Sequence, residues 1–217
     1  MTKPLTFKPA CAKMTAEVKG MIESLSDKLT SKLVDKRTIK ISEYNFYKYG
    51  FEIMISTLIG MIETLIIGVV LNSILLSVVF YIVFTSLRFF TGGYHADTYL
   101  NCKIIFGITC LMSTIISKYF YSIFKMPYII IMGLIYLIIV ILLCPCENKH
   151  KKLTEQIKRK NKIISIIYSI LILSASIFLY NSYKKISVVI LITTIFVGIY
   201  VCIAKLTERR KCYVKDI

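Results

Sequence analysis

Apolar residues in this chain arrive in blocks close to the roughly 20 residues that one helix needs to cross a bilayer, and polar or charged stretches separate the blocks. The blocks run from about Phe51 to Val70, from Leu71 or Ser73 to Leu87, from about Ile104 to Ser117, from Tyr128 to Cys144, from Ile163 to Tyr180 and from Ile186 to Leu206. A soluble fold of 217 residues has no interior large enough for a sequence that is 56% apolar, with a mean hydropathy of +0.70. The pattern therefore predicts an all-α, polytopic helical membrane protein with six transmembrane helices. Because the first two blocks touch at Asn72-Ser73, they are expected to form a tight helical hairpin or else to count as one interrupted segment.

Orientation follows from the 28 basic residues, because short cytoplasmic loops retain Lys and Arg. Lys3 to Lys48 precede the first block, Lys149 to Lys162 join the fourth to the fifth, Arg88 and Lys103 lie between the second and third, and Lys205 to Lys215 close the chain. Only Lys118, Lys125, Lys184 and Lys185 fall on the opposite side, which predicts a multi-pass protein with both termini cytoplasmic. The net charge of +16 borders apolar spans, so anionic lipid headgroups are its expected partner and nucleic acid is not. The first apolar block begins too late for a cleavable signal peptide, and the first span is expected to act as its own signal. Seven cysteines include none on a connection assigned to the outside, which argues against a disulfide framework.

Three segments are expected: residues 1–43 as a cytoplasmic basic and amphipathic segment, 44–207 as the transmembrane domain, and 208–217 as a cytoplasmic basic tail. Within the first, Ile22, Leu25, Leu29 and Leu33 recur at helical spacing beside Lys28, Lys32 and Lys36, the pattern of an amphipathic helix lying in the inner headgroup layer or docked on the spans. The first dozen residues, with Pro4 and Pro9, are expected to be unstructured.

The connection between the second and third spans gathers unlike reactive groups: Arg88, Gly92, Gly93, His95, Asp97, Asn101 and Cys102. A thiol nucleophile needs a base to hold it as thiolate, and an imidazole does this while later protonating a leaving amine. On one straight helix His95 and Cys102 would stand roughly 10 Å apart along the axis, so the backbone has to bend between them, and Gly92-Gly93 frees it to break. Cys102 precedes the run that begins at Ile104, which puts it in the first turn of the third span. There the unpaired N–H groups, the positive end of the helix dipole and adjacent Lys103 favour a thiolate, and the same N–H groups suit an oxyanion. The plain alternative makes His95 and Asp97 interfacial polar residues and Cys102 a small residue at a helix start.

These residues resemble the accessory gene regulator protein B family, membrane endopeptidases that mature staphylococcal-type autoinducing peptides for quorum sensing. The resemblance rests on Arg88, Gly92, Gly93, His95, Ala96 and Cys102 at His-x6-Cys spacing, on Tyr49-Gly50-Phe51-Glu52, and on Pro145 followed by the basic run from Lys149. It implies a bacterial cell-membrane cysteine endopeptidase with its active site on the cytoplasmic side, catalysis by His95 and Cys102, no cofactor, and a homodimer. The implied substrate is a precursor peptide with an amphipathic leader and an acidic tail. Cys102 would cut off the tail and hold the peptide as a thioester, which an internal Cys or Ser then closes into a thiolactone or lactone.

Several further residues fit more than one role. Glu52, near the inner surface, suits pairing with Arg88 or orienting His95, with Asp97 and Asn101 as rivals for the third position. Gly92 and Gly93 are candidates for contact with substrate, as are Lys158, Arg159 and Lys160, whose charge suits an acidic tail and also fixes topology. Glu63 sits mid-span, where an acid is protonated or bonded to a neighbouring helix. A small transporter or lipid-handling protein, with Glu63 on the path, is the alternative from another class. Cys144-Pro145-Cys146 departs from the family pattern and resembles a copper-relay motif, but two thiolates make an incomplete site and no metal is expected. No H-E-x-x-H motif for zinc is present.

Overall fold

The computed structural model describes residues 9–91, 99–144 and 155–213, and these form seven α-helices: α1 (Pro9–Asp35), α2 (Tyr44–Val70), α3 (Ile74–Thr91), α4 (Tyr99–Tyr119), α5 (Met126–Leu143), α6 (Glu155–Leu179) and α7 (Lys184–Tyr213). Among the described residues there is no strand, and six stretches are long and apolar enough to cross a membrane: Ile41–Val70, Ile74–Thr91, Cys102–Tyr119, Met126–Leu143, Arg159–Leu179 and Lys184–Thr207. The six expected spans are thus present. The third starts earlier than the apolar run suggests, because Asn101 and Lys103 join its helix. In a bilayer every backbone group needs an internal partner, and extending the helix through polar residues supplies one.

The helices group into two compact units, Met1–Glu63 with Ala96–Gly107, and Thr64–His95 with Ile108–Ile217. In the second unit α7 is the hub, packing against α3, α5 and α6, while α6 also meets α3 and α5. Its residues from Ser187 to Thr194 are all buried, as are Val197 and Val201. A helix buried on all sides belongs at the centre of a bundle rather than facing lipid. Small hydroxyl pairs bridge the spans, with Ser176 and Ser187 Oγ atoms 3.1 Å apart, Ser77 and Thr114 3.3 Å, and Tyr136 and Ser169 3.3 Å. Such side chains let helices approach closely and satisfy one another where water is absent.

The expected hairpin at Asn72-Ser73 is present. Asn72 adopts φ 46°, and Ser73 N–H donates to Gly68 O at 2.8 Å, closing α2 in the manner of a C-cap. Lys118 Nζ donates to Leu71 O at 2.5 Å, placing a cation on the orphan carbonyls at the negative end of α2. The chain turns so tightly that a Cβ on Gly68 would lie 2.9 Å from Ile74 Cα and 3.2 Å from Ser77 Oγ. Gly68→Ala is therefore expected to destabilise the protein by about 1–3 kcal/mol through overpacking, less the fraction of a kcal/mol that alanine returns in helix propensity. Thermal unfolding in detergent measures it, and an unchanged midpoint would show that the hairpin opens freely.

Residues near the other expected outer connections also meet: Tyr180 Oη donates to Phe124 O at 3.3 Å, and Lys184 Nζ to Ser122 O at 3.4 Å. The turn from α6 to α7 and the connection from α4 to α5 therefore sit at the same end of this unit.

In the first unit α1 departs from expectation in two ways. It begins at Pro9, so the proline fills a first helical position, where its missing N–H has no consequence, instead of marking an unstructured stretch. The buried face is Ile22, Ser26 and Thr30, whereas Leu25 is 46% exposed and Leu29 and Leu33 are half-buried. The hydroxyls of Ser26 and Thr30 donate at 2.7 Å to the carbonyls of Ile22 and Ser26, which satisfies them without a partner helix and allows burial in place of the leucines. Asp27 ties α1 to α2. It forms a 2.7 Å ion pair with Lys48 and accepts a 3.0 Å hydrogen bond from Tyr44 Oη. Lys48 foremost, then Tyr44, hold the Asp27 carboxyl below its ordinary range, so this tie persists at neutral pH and is lost only as pH falls through that lowered value.

Candidate active site

Cys102 is the fourth residue of α4, in the first turn, where backbone N–H groups lack intrahelical partners. The residue is half-buried. Next to it, Lys103 is folded inward: Nζ donates to the backbone carbonyl of Ser56 on α2 and stands 5.8 Å from the centre of the Phe106 ring. About one turn further along α4, Gly107 receives the Glu63 carboxyl of α2 so closely that a Cβ there would collide with Oε1. Oε2 of Glu63 is buried with no hydrogen-bond partner. The acid expected mid-span is thus accommodated by a missing side chain, on the helix that also carries Cys102 and Lys103. Glu52 lies about three turns before Glu63 on α2, half-buried, with Lys48 one turn before it.

The second unit holds the other side of the connection. Arg88 lies in the last turn of α3 with its guanidinium 5.5 Å from the centre of the Phe84 ring and 5.7 Å from that of Tyr200 on α7. Cation–π contact of this kind satisfies an arginine in a span that has no water. The Phe84 and Tyr200 rings meet edge to face at 6.3 Å, and Tyr200 Oη and Thr109 Oγ1 are hydrogen-bonded. Beyond Arg88, Phe90 packs on Tyr168 of α6 at 5.5 Å, and Thr91, the last residue of α3, is buried with its hydroxyl donating to Leu87 O at 2.9 Å.

Gly92, Gly93, His95 and Asp97 lie outside the described residues, and of Asn101 and Lys158 the helix position alone is described. Arg159 and Lys160 are exposed on α6. Cys102, Cys110, Cys144 and Cys202 are thiols. Cys144 caps the end of α5, buried, with its N–H on Val140 O at 3.1 Å, while Pro145 and Cys146 lie outside the described residues. Among the described residues no three His, Cys, Asp or Glu side chains gather as metal ligands. Sequence reasoning did not single out Ser56, Gly107, Thr109 or Tyr200. A glycine or tyrosine inside an apolar run looks like any other span residue until its neighbour is known.

Comparisons with known proteins bear on the family of the chain. The family model described as Accessory gene regulator B matches residues 26–201, which covers α2 to α6 whole and most of α7. A Clostridium perfringens protein named AgrB-like protein 2 is 25% identical over 187 residues, covering 81% of this chain and 87% of that protein. An AgrB-like protein from another strain of the same species is 26% identical over 172 residues, covering 74% and 80%. The Accessory gene regulator protein B of Staphylococcus intermedius is 22% identical over 166 residues, covering 76% and 87%. No solved structure matches the chain significantly. With six spans, and a family model that runs through the helices on both sides of the His95 connection, the chain belongs to the accessory gene regulator B family, which has its role in quorum-sensing peptide processing.

Proposed function

We propose that this protein is a membrane cysteine endopeptidase that cleaves the acidic tail from an autoinducing-peptide precursor on the cytoplasmic face of a bacterial membrane. The observation that carries the reading is Cys102, a half-buried thiol in the first turn of a membrane-spanning helix. Free N–H groups and the helix dipole at that position stabilise an anion. His95 takes the thiol proton, the thiolate attacks the peptide carbonyl before the tail, and the tetrahedral oxyanion rests on the N–H groups of the first turn of α4. The amine of the tail leaves with the proton from His95. The peptide remains as a thioester on Cys102 until its own thiol or hydroxyl displaces the sulfur and closes the ring. Arg159 and Lys160, exposed on α6, offer a positive surface to the acidic tail and the same charges fix topology.

Alkylation tests this reading. With N-ethylmaleimide near neutral pH, Cys102 is expected to label fastest of the seven cysteines and Cys110, fully buried, to stay nearly inert. Cleavage of a peptide with an amphipathic leader, an internal cysteine and an acidic tail should disappear in step with Cys102 labelling, read by mass spectrometry. A protein that labels no faster at Cys102 than at Cys202, or that works undiminished when Cys102 is modified, would be the transporter and not the peptidase.

A further inference from the structure

Within the second unit, Lys184 and Lys185 at the turn from α6 to α7 both reach one short stretch of the connection from α4 to α5. Lys184 Nζ donates to Ser122 O at 3.4 Å and lies 5.3 Å from the centre of the Tyr180 ring. Lys185 Nζ lies 5.0 Å from the centre of the Tyr121 ring, one residue before Ser122. Tyr180 is itself tied to this connection, its Oη donating to Phe124 O at 3.3 Å. These partners are carbonyls and rings, which hold the two ammonium groups in place and leave their charge uncancelled. Neither connection contains an acid that could cancel it, since no Asp or Glu occurs in residues 64–96, 98–146 or 156–207. Two like charges gathered by neutral groups favour an anion between them, and an ammonium has three N–H donors to offer it.

Where this cluster sits along the spans points to the carrier of that anion. One span ends at Leu179, the next begins at Lys184, and the span of α5 begins at Met126. The ammonium groups therefore stand where hydrocarbon gives way to headgroups, a depth that favours Tyr and Lys. Beside them Phe178 is 83% exposed, Ile123 63% and Tyr183 60%, an apolar surface that suits acyl chains and not a soluble ion. We propose that Lys184 and Lys185, held by Tyr180, Tyr121 and Ser122, bind the phosphate of an anionic glycerophospholipid. The phosphate accepts hydrogen bonds from both ammonium groups while the acyl chains lie on Phe178 and Ile123. A zwitterionic lipid carries the same phosphate, but its own cation opposes the two lysines. The bound headgroup joins the turn from α6 to α7 to the α4–α5 connection and so closes this end of the bundle around α7.

The test uses the full chain, stripped of lipid in mild detergent, with phosphatidylglycerol, phosphatidylcholine or inorganic phosphate added. Phosphatidylglycerol should raise the melting temperature, and the other two should not. Because basic residues elsewhere in the chain also attract anionic lipid, the site itself is read with a phosphatidylglycerol that carries a diazirine beside its headgroup. Photocrosslinks are expected in the peptides that hold residues 119–125 and 180–185. Lys184→Gln and Lys185→Gln together should weaken crosslinking there roughly 25-fold, about fivefold for each charge. Tyr121→Leu keeps every charge and should still weaken it about two- to fivefold, since Lys185 loses the ring it rests on. Lys125→Gln, which removes an exposed cation from the same connection, should leave it nearly unchanged. Crosslinking of the unaltered chain decides the matter even if a variant fails to fold, and its absence from these two peptides overturns the proposal. Equal stabilisation by phosphatidylcholine, or by inorganic phosphate, overturns it as well. A loss from Lys125→Gln as large as that from the Lys184 and Lys185 pair would reduce the site to diffuse surface charge and overturn it too.

Discussion

Replacing Cys102 with alanine is expected to lower cleavage of the precursor by on the order of a thousandfold or more while leaving the protein inserted and folded. The side chain is half-buried in a first helical turn, so its loss opens no cavity in a packed core. On the proposed mechanism, what disappears is the group that forms the covalent intermediate. His95→Ala should fall nearly as far, since an unassisted thiol is a poor nucleophile and the amine then leaves without its proton. Residues that act as one unit lose activity non-additively, so the double variant should be no slower than Cys102→Ala. Rates of tail release from purified proteoliposomes, with melting temperature as the control for folding, give all three numbers. Substantial cleavage by Cys102→Ala would end the endopeptidase reading.

The largest effect on stability is expected on α7. Leu191 is fully buried in the centre of the hub helix, and Leu191→Ala should cost about 2–5 kcal/mol from lost packing and the cavity left behind. Leu142 on α5 is 72% exposed, and the same change there removes atoms that touch little protein, so its effect should stay within about 0.5 kcal/mol. Unfolding in mild detergent compares the two. Equal costs at Leu191 and Leu142 would contradict a bundle centred on α7.

The spans were legible in the sequence because a bilayer demands long apolar runs, and the Asn72-Ser73 hairpin was legible because two such runs touch with no room for a loop. The ends were less so. Hydropathy weighs side chains, whereas helix ends are set by the backbone's need for hydrogen bonds, which carried α4 back through Lys103, Cys102 and Asn101 to Tyr99. The same gap explains α1: spacing picked out its leucines, yet Ser26 and Thr30, whose hydroxyls are satisfied within their own helix, are the residues buried beside Ile22. At the site, His95 lies outside the described residues, while the place of Cys102 in a first turn could be read from where the apolar run begins. The residues around it could not, because Glu63 against Gly107 and Tyr200 against Thr109 are contacts between spans that no local pattern encodes.

The central place of α7 bears on how the protein is made. A ribosome delivers α3, α5 and α6 to the membrane before it delivers α7, so these three spans wait in lipid without the helix that each of them packs on. They are apolar enough to remain inserted meanwhile, but their hydroxyls at Ser176 and Ser169 face partners that have not all arrived. Insertion and assembly are thus separate events in this chain, and the interval between them is when a membrane chaperone or a degrading protease would meet it. A nascent chain halted before Lys184 would hold its first five spans without the helix on which α3, α5 and α6 all pack.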